Sequence, residues 1–386
     1  MINERFYEKE KKILILLSIL LIATLSISII ESVNAKDITI GPKTPGGLKT
    51  TIENVENGST IYLKNGIYSG ENNTNILLNK NISIEGLGSK VVIDGKGKNQ
   101  IFKIPSLTTI SLKKLKITNG YTGYSGGAVT SDTNTLLIIT NCFFTNNKAD
   151  ITGAIYSLGS LDINRCSFIN NKANNGGAIC SLNSLTMNKC TFTKNNAKNG
   201  RGGAIYSIGN LNIKSCTFTK NNAEDKGGAI CAFEKVKMNS CNFTKNSAND
   251  HGGAVYSGSD SILTINNCIF IKNTVKNQGG AVYSGFGSSL AMNLCTFTKN
   301  KADGPIYINM GNGGAICSGS ANILVINICN FTNNNAKNTG GAVYSDSNSK
   351  LVLNYCKFNE NRAKELIIAA PDSKGTYIRV PRTIEE

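Results

Sequence analysis

The stretch CTFTKNNAKNGRGGAIYS, residues 190–207, holds one copy of the pattern that decides the fold of this chain. Apolar and polar residues alternate, an asparagine-rich segment and a glycine pair follow, and the alternation then resumes. Short alternating segments predict β-strands, because successive side chains of a strand point to opposite faces. Nearly the same sequence pattern recurs along most of the 386 residues, which indicates a repeat protein rather than several unrelated domains.

The most regular part of the repeat is Cys-x-Phe-x-x-Asn, which occurs nine times at cysteine spacings of 24, 24, 26, 25, 27, 27, 34 and 27 residues. The two-residue spacing places Cys and Phe on one face of a strand, so we predict two buried structural ladders. The ladder cysteines are Cys142, Cys166, Cys190, Cys216, Cys241, Cys268, Cys295, Cys329 and Cys356. The ladder phenylalanines are Phe144, Phe168, Phe192, Phe218, Phe243, Phe270, Phe297, Phe331 and Phe358.

The asparagine three residues after each ladder phenylalanine is expected at a bend. Asparagine tolerates the left-handed backbone conformation, and its side-chain amide can bond along the stack. The ladder cysteines are expected to be free thiols, since stacked side chains that point the same way disfavour the disulfide torsion. Paired cysteines remain the alternative.

A second motif, Gly-Gly-Ala-(Ile/Val)-(Tyr/Cys/Thr)-Ser, lies between the cysteine units. Its glycine pair predicts a sharp corner where no side chain fits. In the strand that follows, Ile or Val should point inward and Tyr or Cys outward. Cys180, Cys231 and Cys317, which replace the tyrosine, are therefore expected to be more accessible than the ladder cysteines.

Three short strands for each repeat of about 25 residues predict an all-β fold, a single-stranded right-handed parallel β-helix of about 12–13 coils. We divide the chain into four parts. They are a signal peptide or signal anchor (1–35), an N-terminal cap with the first coils (36–120), the nine-repeat β-helix (121–362), and a C-terminal cap or disordered tail (363–386).

The N-terminus and the charge predict the location and the partners. Lys9, Lys11 and Lys12 precede an apolar run from Ile13 to Ile30, and Val33 and Ala35 fit a secretory cleavage site. We expect a secreted or cell-surface protein that meets a membrane only if this segment is retained. The formal net charge of +16 favours cell-surface or extracellular glycans or other acidic polymers as partners, and export argues against nucleic acid.

Lysine occupies the position two residues after Phe in five successive repeats, which predicts a basic stripe and a candidate binding surface. Its members are Lys194, Lys220, Lys245, Lys272 and Lys299. One repeat carries an insertion between Asn300 and Gly313, and Tyr307 and Met310 in it are further candidate contacts. A merely solvated face and a tolerated loop are the alternatives.

No catalytic, cofactor-binding or metal site is predicted, so we expect no enzyme and no cofactor. The aspartates of the repeats do not share one repeated position, and His251, the single histidine, is expected to be a solvated turn residue. The cysteine spacing excludes the short zinc pattern. A polysaccharide lyase or glycoside hydrolase remains the enzymatic alternative, which a cluster of acids on one face would favour.

The pairing of Gly-Gly-Ala-Ile with Phe-x-x-Asn over residues 120–362 resembles the repeat of the chlamydial polymorphic outer-membrane proteins. It also resembles the adhesin-like proteins of methanogenic archaea. Residues 37–120 are similar to the first coils of pectate-lyase-like solenoids. The resemblance implies a secreted right-handed β-helix at the cell surface with a role in adhesion. A passive structural or spacer protein of the envelope is the alternative.

Overall fold

The computed structural model describes residues 35–304 and 311–363, and within them a single short helix accompanies the β-strands. The strands form four parallel sheets, and neighbouring strands of each sheet come from successive coils. This is a parallel β-solenoid of about twelve turns, which confirms the predicted all-β parallel β-helix. The predicted signal segment, apart from Ala35, and the predicted C-terminal cap or tail, apart from Ala363, lie outside the described residues.

Each repeat passes through sheets A, B, D and C in that order, so a coil has four strands rather than the three that the sequence predicts. The additional strand is the two-residue strand of sheet D, which is too short to show an alternating pattern. Sheet A contains Ile38–Ile40, Thr60–Leu63, Ile82–Gly86, Thr109–Lys113, Leu136–Thr140, Ser160–Asn164, Leu185–Asn188, Leu211–Lys214, Lys235–Asn239, Ile262–Asn266, Ser289–Asn293, Ile323–Asn327 and Lys350–Asn354. Sheet B contains Gly66–Ser69, Val91–Asp94, Lys116–Thr118, Phe143–Thr145, Ser167–Ile169, Thr191–Thr193, Thr217–Thr219, Asn242–Thr244, Ile269–Ile271, Thr296–Thr298, Asn330–Thr332 and Lys357–Asn359.

The strands of the other two sheets have two or three residues. Sheet C contains Ile76–Leu77, Phe102–Ile104, Val129–Ser131, Ile155–Ser157, Ile179–Ser181, Ile205–Ser207, Ile230–Ala232, Val255–Ser257, Val282–Ser284, Ile316–Ser318 and Val343–Ser345. Sheet D contains Tyr121–Thr122, Lys148–Ala149, Lys172–Ala173, Asn196–Ala197, Asn222–Ala223, Ser247–Ala248, Thr274–Val275, Lys301–Ala302, Asn335–Ala336 and Arg362–Ala363.

The core of the solenoid is a set of side-chain stacks that run along its axis. Successive ladder phenylalanines lie 4.7–4.9 Å apart between ring centroids, and their ring planes differ by only 2–7°. The cysteine ladder is buried from Cys142 to Cys329, and its last member, Cys356, is half-buried together with Phe358. All twelve cysteines are free thiols. Because the repeats keep the same register, each coil buries the same residue types against the next.

The left-handed residue of each bend is not the one that the sequence predicts. The left-handed residue is not the ladder asparagine but the residue before it, with φ between 50° and 57° in all nine repeats. These residues are Asn146, Asn170, Lys194, Lys220, Lys245, Lys272, Lys299, Asn333 and Glu360. In the first eight repeats the asparagine is buried and bonds to the next coil, because the left-handed residue turns the chain so that the asparagine points inward.

The Gly-Gly corner is required by close approach of the backbone. The first glycine of each pair has φ between 55° and 73°. A Cβ on the second, for example on Gly203 or Gly228, would overlap the glycine carbonyl oxygen of the following coil. Thr152 replaces the first glycine in one coil, whereas no residue with a side chain fits the second position without moving the stack.

The first coil of the solenoid is covered by a helix instead of another coil. This helix, Gly47–Asn54, contributes Leu48 and Ile52 to the same hydrophobic core as the coils. The ammonium group of Lys80 donates to the carbonyl oxygens of Ile52, Glu53 and Val55 at 3.1, 2.8 and 2.7 Å. It therefore satisfies carbonyl groups that the end of a helix leaves without partners.

Candidate binding surface

The structure brings the five lysines of the predicted stripe into one row on consecutive coils. All five side chains are exposed. The backbone N–H of each lysine donates, at 2.9–3.0 Å, to the residue that precedes the corresponding position in the next coil. We call this row, Lys194, Lys220, Lys245, Lys272 and Lys299, the lysine stripe. It lies at the bend between sheets B and D.

A buried ladder of asparagines holds the stripe in register from below. The side-chain amide of Asn195 donates to the Oδ1 atom of Asn221 at 3.0 Å and to the carbonyl oxygen of Phe168 at 2.9 Å. Its backbone N–H donates to the same Oδ1 atom at 2.9 Å. The pattern repeats between Asn147 and Asn361. Each lysine position is therefore tied to the next by hydrogen bonds one residue away.

The stripe has defined ends and an uncompensated charge. Asn146 and Asn170 occupy the same position in the two repeats before it, and Asn333 and Glu360 in the two repeats after it. Within residues 35–304 and 311–363, none of the ion pairs involves a stripe lysine. Five positive charges in one row create a local positive potential for an anionic partner. Tyr307 and Met310, the other candidate contacts, lie outside the described residues.

A second polar cluster, which the sequence analysis missed, lies beside the Gly-Gly corners. Arg201 pairs with Asp225 at 2.7 Å, and His251 Nδ1 lies 2.6 Å from Asp250 Oδ2. Lys226 Nζ lies 3.5 Å from the same carboxylate oxygen. Asp225 and Asp250 stand on adjacent coils, because the Asp250 N–H donates to the Asp225 carbonyl oxygen. Both aspartates lie two residues before a Gly-Gly pair, and this shared position could have revealed the cluster in the sequence. The expectation that the aspartates share no repeated position is therefore wrong for these two.

His251 is not the solvated turn residue that we expected. Its side chain is largely buried, it bonds to Asp250, and its ring lies 4.3 Å from the ring of Tyr283 in the next coil. The carboxylate also accepts a hydrogen bond from Asn277 at 2.9 Å. Burial alone would raise the pKa of Asp250, but the hydrogen bonds from His251 and Asn277 outweigh it and hold that pKa well below its usual range. The ionised Asp250 carboxylate therefore links three successive coils, because it contacts Lys226 of the coil before and Asn277 of the coil after.

The outward cysteines of sheet C are less accessible than the sequence predicts. Cys180 is buried rather than accessible, because it pairs in register with Tyr156 on one side and Tyr206 on the other. Cys231 and Cys317 lie between tyrosines in the same way and are also buried. Burial raises the pKa of the Cys180 thiol to about 12. These thiols are therefore protonated at neutral pH and poorly reactive.

The described residues contain no group of three or more His, Cys, Asp or Glu side chains arranged to hold a metal ion. Over the same residues, no helix has the length and apolar character needed to span a membrane. The surface features established above are the lysine stripe and the charge network around Asp250.

The same coils carry the match to known proteins. The profile of the Chlamydia polymorphic membrane protein repeat matches seven segments of the chain. Residues 165–346 carry polymorphic membrane protein repeats. The matched segments are 165–182, 189–208, 215–232, 240–258, 267–285, 294–319 and 328–346. This confirms the chlamydial resemblance, whereas the methanogen resemblance stays a prediction; no curated protein matches the chain. The five lysines of the stripe all lie between the first and the last polymorphic membrane protein repeat.

Proposed function

We propose that this protein is a secreted or cell-surface, adhesin-like β-helix that binds acidic glycans or other acidic envelope polymers through the lysine stripe and performs no chemistry on them. The repeat belongs to proteins described as polymorphic membrane proteins, which supports a surface role. The signal-like segment at residues 1–35 and the net charge of +16 support the same location and class of partner.

The observation that carries the proposal is the alignment of five exposed lysines, none of which forms an ion pair with another residue of the described ranges. A single surface ion pair contributes little, roughly 0–1 kcal/mol. Five pairs to one polymer are different, because after the first contact each further contact forms at a high effective concentration. A rigid row therefore suits a repeating anionic chain better than a small anion.

The test compares the full chain with a variant in which all five stripe lysines are replaced by asparagine. Asparagine occupies this bend in neighbouring repeats, so the change removes charge and preserves the turn. Polygalacturonate, a sulfated glycan and a neutral glucan are presented at low and at high salt. We expect the natural chain to bind the two acidic polymers, with binding weakened by salt, and the variant to lose at least tenfold in affinity.

The matched control removes five exposed lysines elsewhere, namely Lys103, Lys198, Lys214, Lys237 and Lys276. The net charge then equals that of the stripe variant, but the row stays intact. If both variants lose affinity equally, total charge and not the stripe is responsible, and the proposal fails. Binding by neither natural chain nor variants favours the passive spacer, and release of shorter glycan products identifies the lyase or hydrolase alternative.

A further inference from the structure

We propose that the lysine stripe binds one linear acidic glycan that lies parallel to the solenoid axis, with one acidic sugar above each of the five coils. This inference rests on the proposed function and specifies the ligand's shape, length and charge spacing. It depends on the backbone at the stripe, on the two ends of the row, and on the side chains that flank it.

The stripe lysines occupy a backbone conformation that suits asparagine better. Each has φ between 54° and 56°, in the left-handed region. Left-handed backbone is unfavourable for most residues with a side chain, and asparagine visits it more readily. Asn146, Asn170 and Asn333 fill the same position in other repeats. Lysine is therefore a less favourable residue than asparagine at these five bends. Among the described residues, neither burial nor an ion pair of the lysine side chain offsets that cost. The residue before each ladder cysteine has the same left-handed backbone, for example Leu294, Ile328 and Tyr355, so this conformation is a general feature of the coil. What distinguishes the stripe is that one charged residue type fills the position in five successive coils.

The row has the geometry of a finite linear site. Beneath it, the ring centroids from Phe192 to Phe297 are separated by 4.7–4.8 Å for each coil. Four such intervals put the first and the fifth lysine positions about 19 Å apart, at the usual strand spacing. Glu360 marks the far end, because a carboxylate at this position repels an anionic chain that extends beyond Asn333.

The rows that flank the stripe carry hydroxyl and amide groups. The outward residue just before each stripe lysine belongs to sheet B, and these residues are Thr193, Thr219, Thr244, Ile271 and Thr298. The outward residues on the sheet D side are Asn196, Asn222, Ser247, Thr274 and Lys301. Such groups are suitable donors and acceptors for the hydroxyl groups of sugars.

The flanking chemistry favours a glycan over a nucleic acid. Single-stranded nucleic acids gain much of their affinity when bases stack on aromatic side chains. The two flanking rows contain threonine, asparagine, serine, isoleucine and lysine and no aromatic residue. A chain of uronic acid residues carries one carboxylate per sugar, so each sugar can supply one negative charge to one lysine of the row.

The test measures binding of galacturonate oligomers of one to ten units to the full chain by titration calorimetry at several salt concentrations. We expect affinity to rise steeply with each added unit up to five and to change little beyond it. Binding of the five-unit oligomer should weaken as the salt concentration rises, and Lys245→Asn should make this dependence shallower because it removes one of the five charges.

A gain-of-length variant makes the test specific. Asn333→Lys adds one lysine at the next coil in the same row and should move the length of maximal gain from five units to six. Asn335→Lys adds the same charge on the exposed face of sheet D and should leave that length at five. Both changes are at the surface, so folding can be checked by unchanged circular dichroism.

The possible outcomes separate this inference from the proposed function. If polygalacturonate binds through the stripe but affinity does not depend on oligomer length up to five, the linear five-coil site is wrong. The same holds if Asn333→Lys and Asn335→Lys give the same length of maximal gain. If no acidic glycan depends on the stripe at all, the proposed function fails as well.

Discussion

Lys220 and Asn221 are neighbours in the chain, yet the fold treats them in opposite ways. Asn221 is 1 % exposed and its side chain bonds to the coils on both sides, through Asn195, Asn246 and Phe192. Lys220 is exposed and its side chain is held by no ion pair in the described part of the chain. The asparagine position is constant in all nine repeats, and the lysine position changes to Asn or Glu at both ends. The comparison separates the positions that build the rod from those that the fold leaves exposed.

The interior should give the largest effect on stability. Phe218→Ala removes a fully buried ring that stacks on Phe192 and on Phe243. We expect a loss of about 3–5 kcal/mol in the free energy of unfolding, from lost burial and an unfilled cavity. Urea unfolding measures it, with Phe286→Ala, an exposed ring, as a control expected to cost about 0.5 kcal/mol or less. Equal losses in the two variants would show that the stack does not dominate the core.

The ladder asparagine should come next. Asn221→Ala leaves the Asn195 N–H and the Phe192 carbonyl without their side-chain partners inside the core. We expect a loss of about 2–4 kcal/mol, since each unsatisfied buried group costs about 1–3 kcal/mol. Asn222→Ala, one residue later on the exposed face, is the control and should cost under about 0.5 kcal/mol. If the two alanine variants unfold at the same urea concentration, the division between building and exposed positions is wrong.

The charge network at Asp250 lies between these extremes, because it is at the surface but tied to its neighbours. Its pKa is lowered in the folded protein, so its contribution to stability is present above the unfolded pKa of about 3.9 and is lost as the pH falls through the folded value. We expect Asp250→Asn to cost about 1–2 kcal/mol at pH 7, and the difference from the natural chain to shrink below about pH 4.

Urea unfolding at pH 7 and at pH 3 measures this effect. Asp162→Asn is the control, because Asp162 is exposed on sheet A and takes part in none of the ion pairs found among the described residues. Its cost should be near zero at both pH values. A cost for Asp250→Asn that grows on acidification would contradict the lowered pKa.

The stripe should give the smallest effect on stability, and in the opposite direction. Lys220→Asn places a residue that tolerates left-handed backbone at φ 54° and reduces repulsion along the row. We expect a gain of up to about 1 kcal/mol, measured by the urea midpoint. Lys237→Asn, on sheet A, is the control and should not stabilise the chain. A destabilising Lys220→Asn would mean that lysine serves the fold here, and that the comparison with Asn221 fails.

The incorrect sequence predictions have a common cause. Cys180 was expected to be accessible because its strand places it outward, but Tyr156 and Tyr206 of the adjacent coils cover it. His251 was expected in solvent, but Tyr283, 32 residues later, packs against it. Strand alternation predicts the side of the sheet on which a residue lies. It does not predict how far the residues of the neighbouring coils cover it.

The sequence by itself determined the coils, the parallel sheets and the inward residues. The nine repeats of Cys-x-Phe-x-x-Asn have nearly constant length, and a short alternating repeat can bury its apolar face only against another copy of itself. Lysine in the same repeat position of five copies likewise predicted one row. Only the tertiary structure decided that the left-handed bend falls on the lysine, that Asp250 joins three coils, and that the sheet C cysteines are covered. Those features depend on hydrogen bonds and contacts between residues about 25 positions apart, which form only when the coils stack in register.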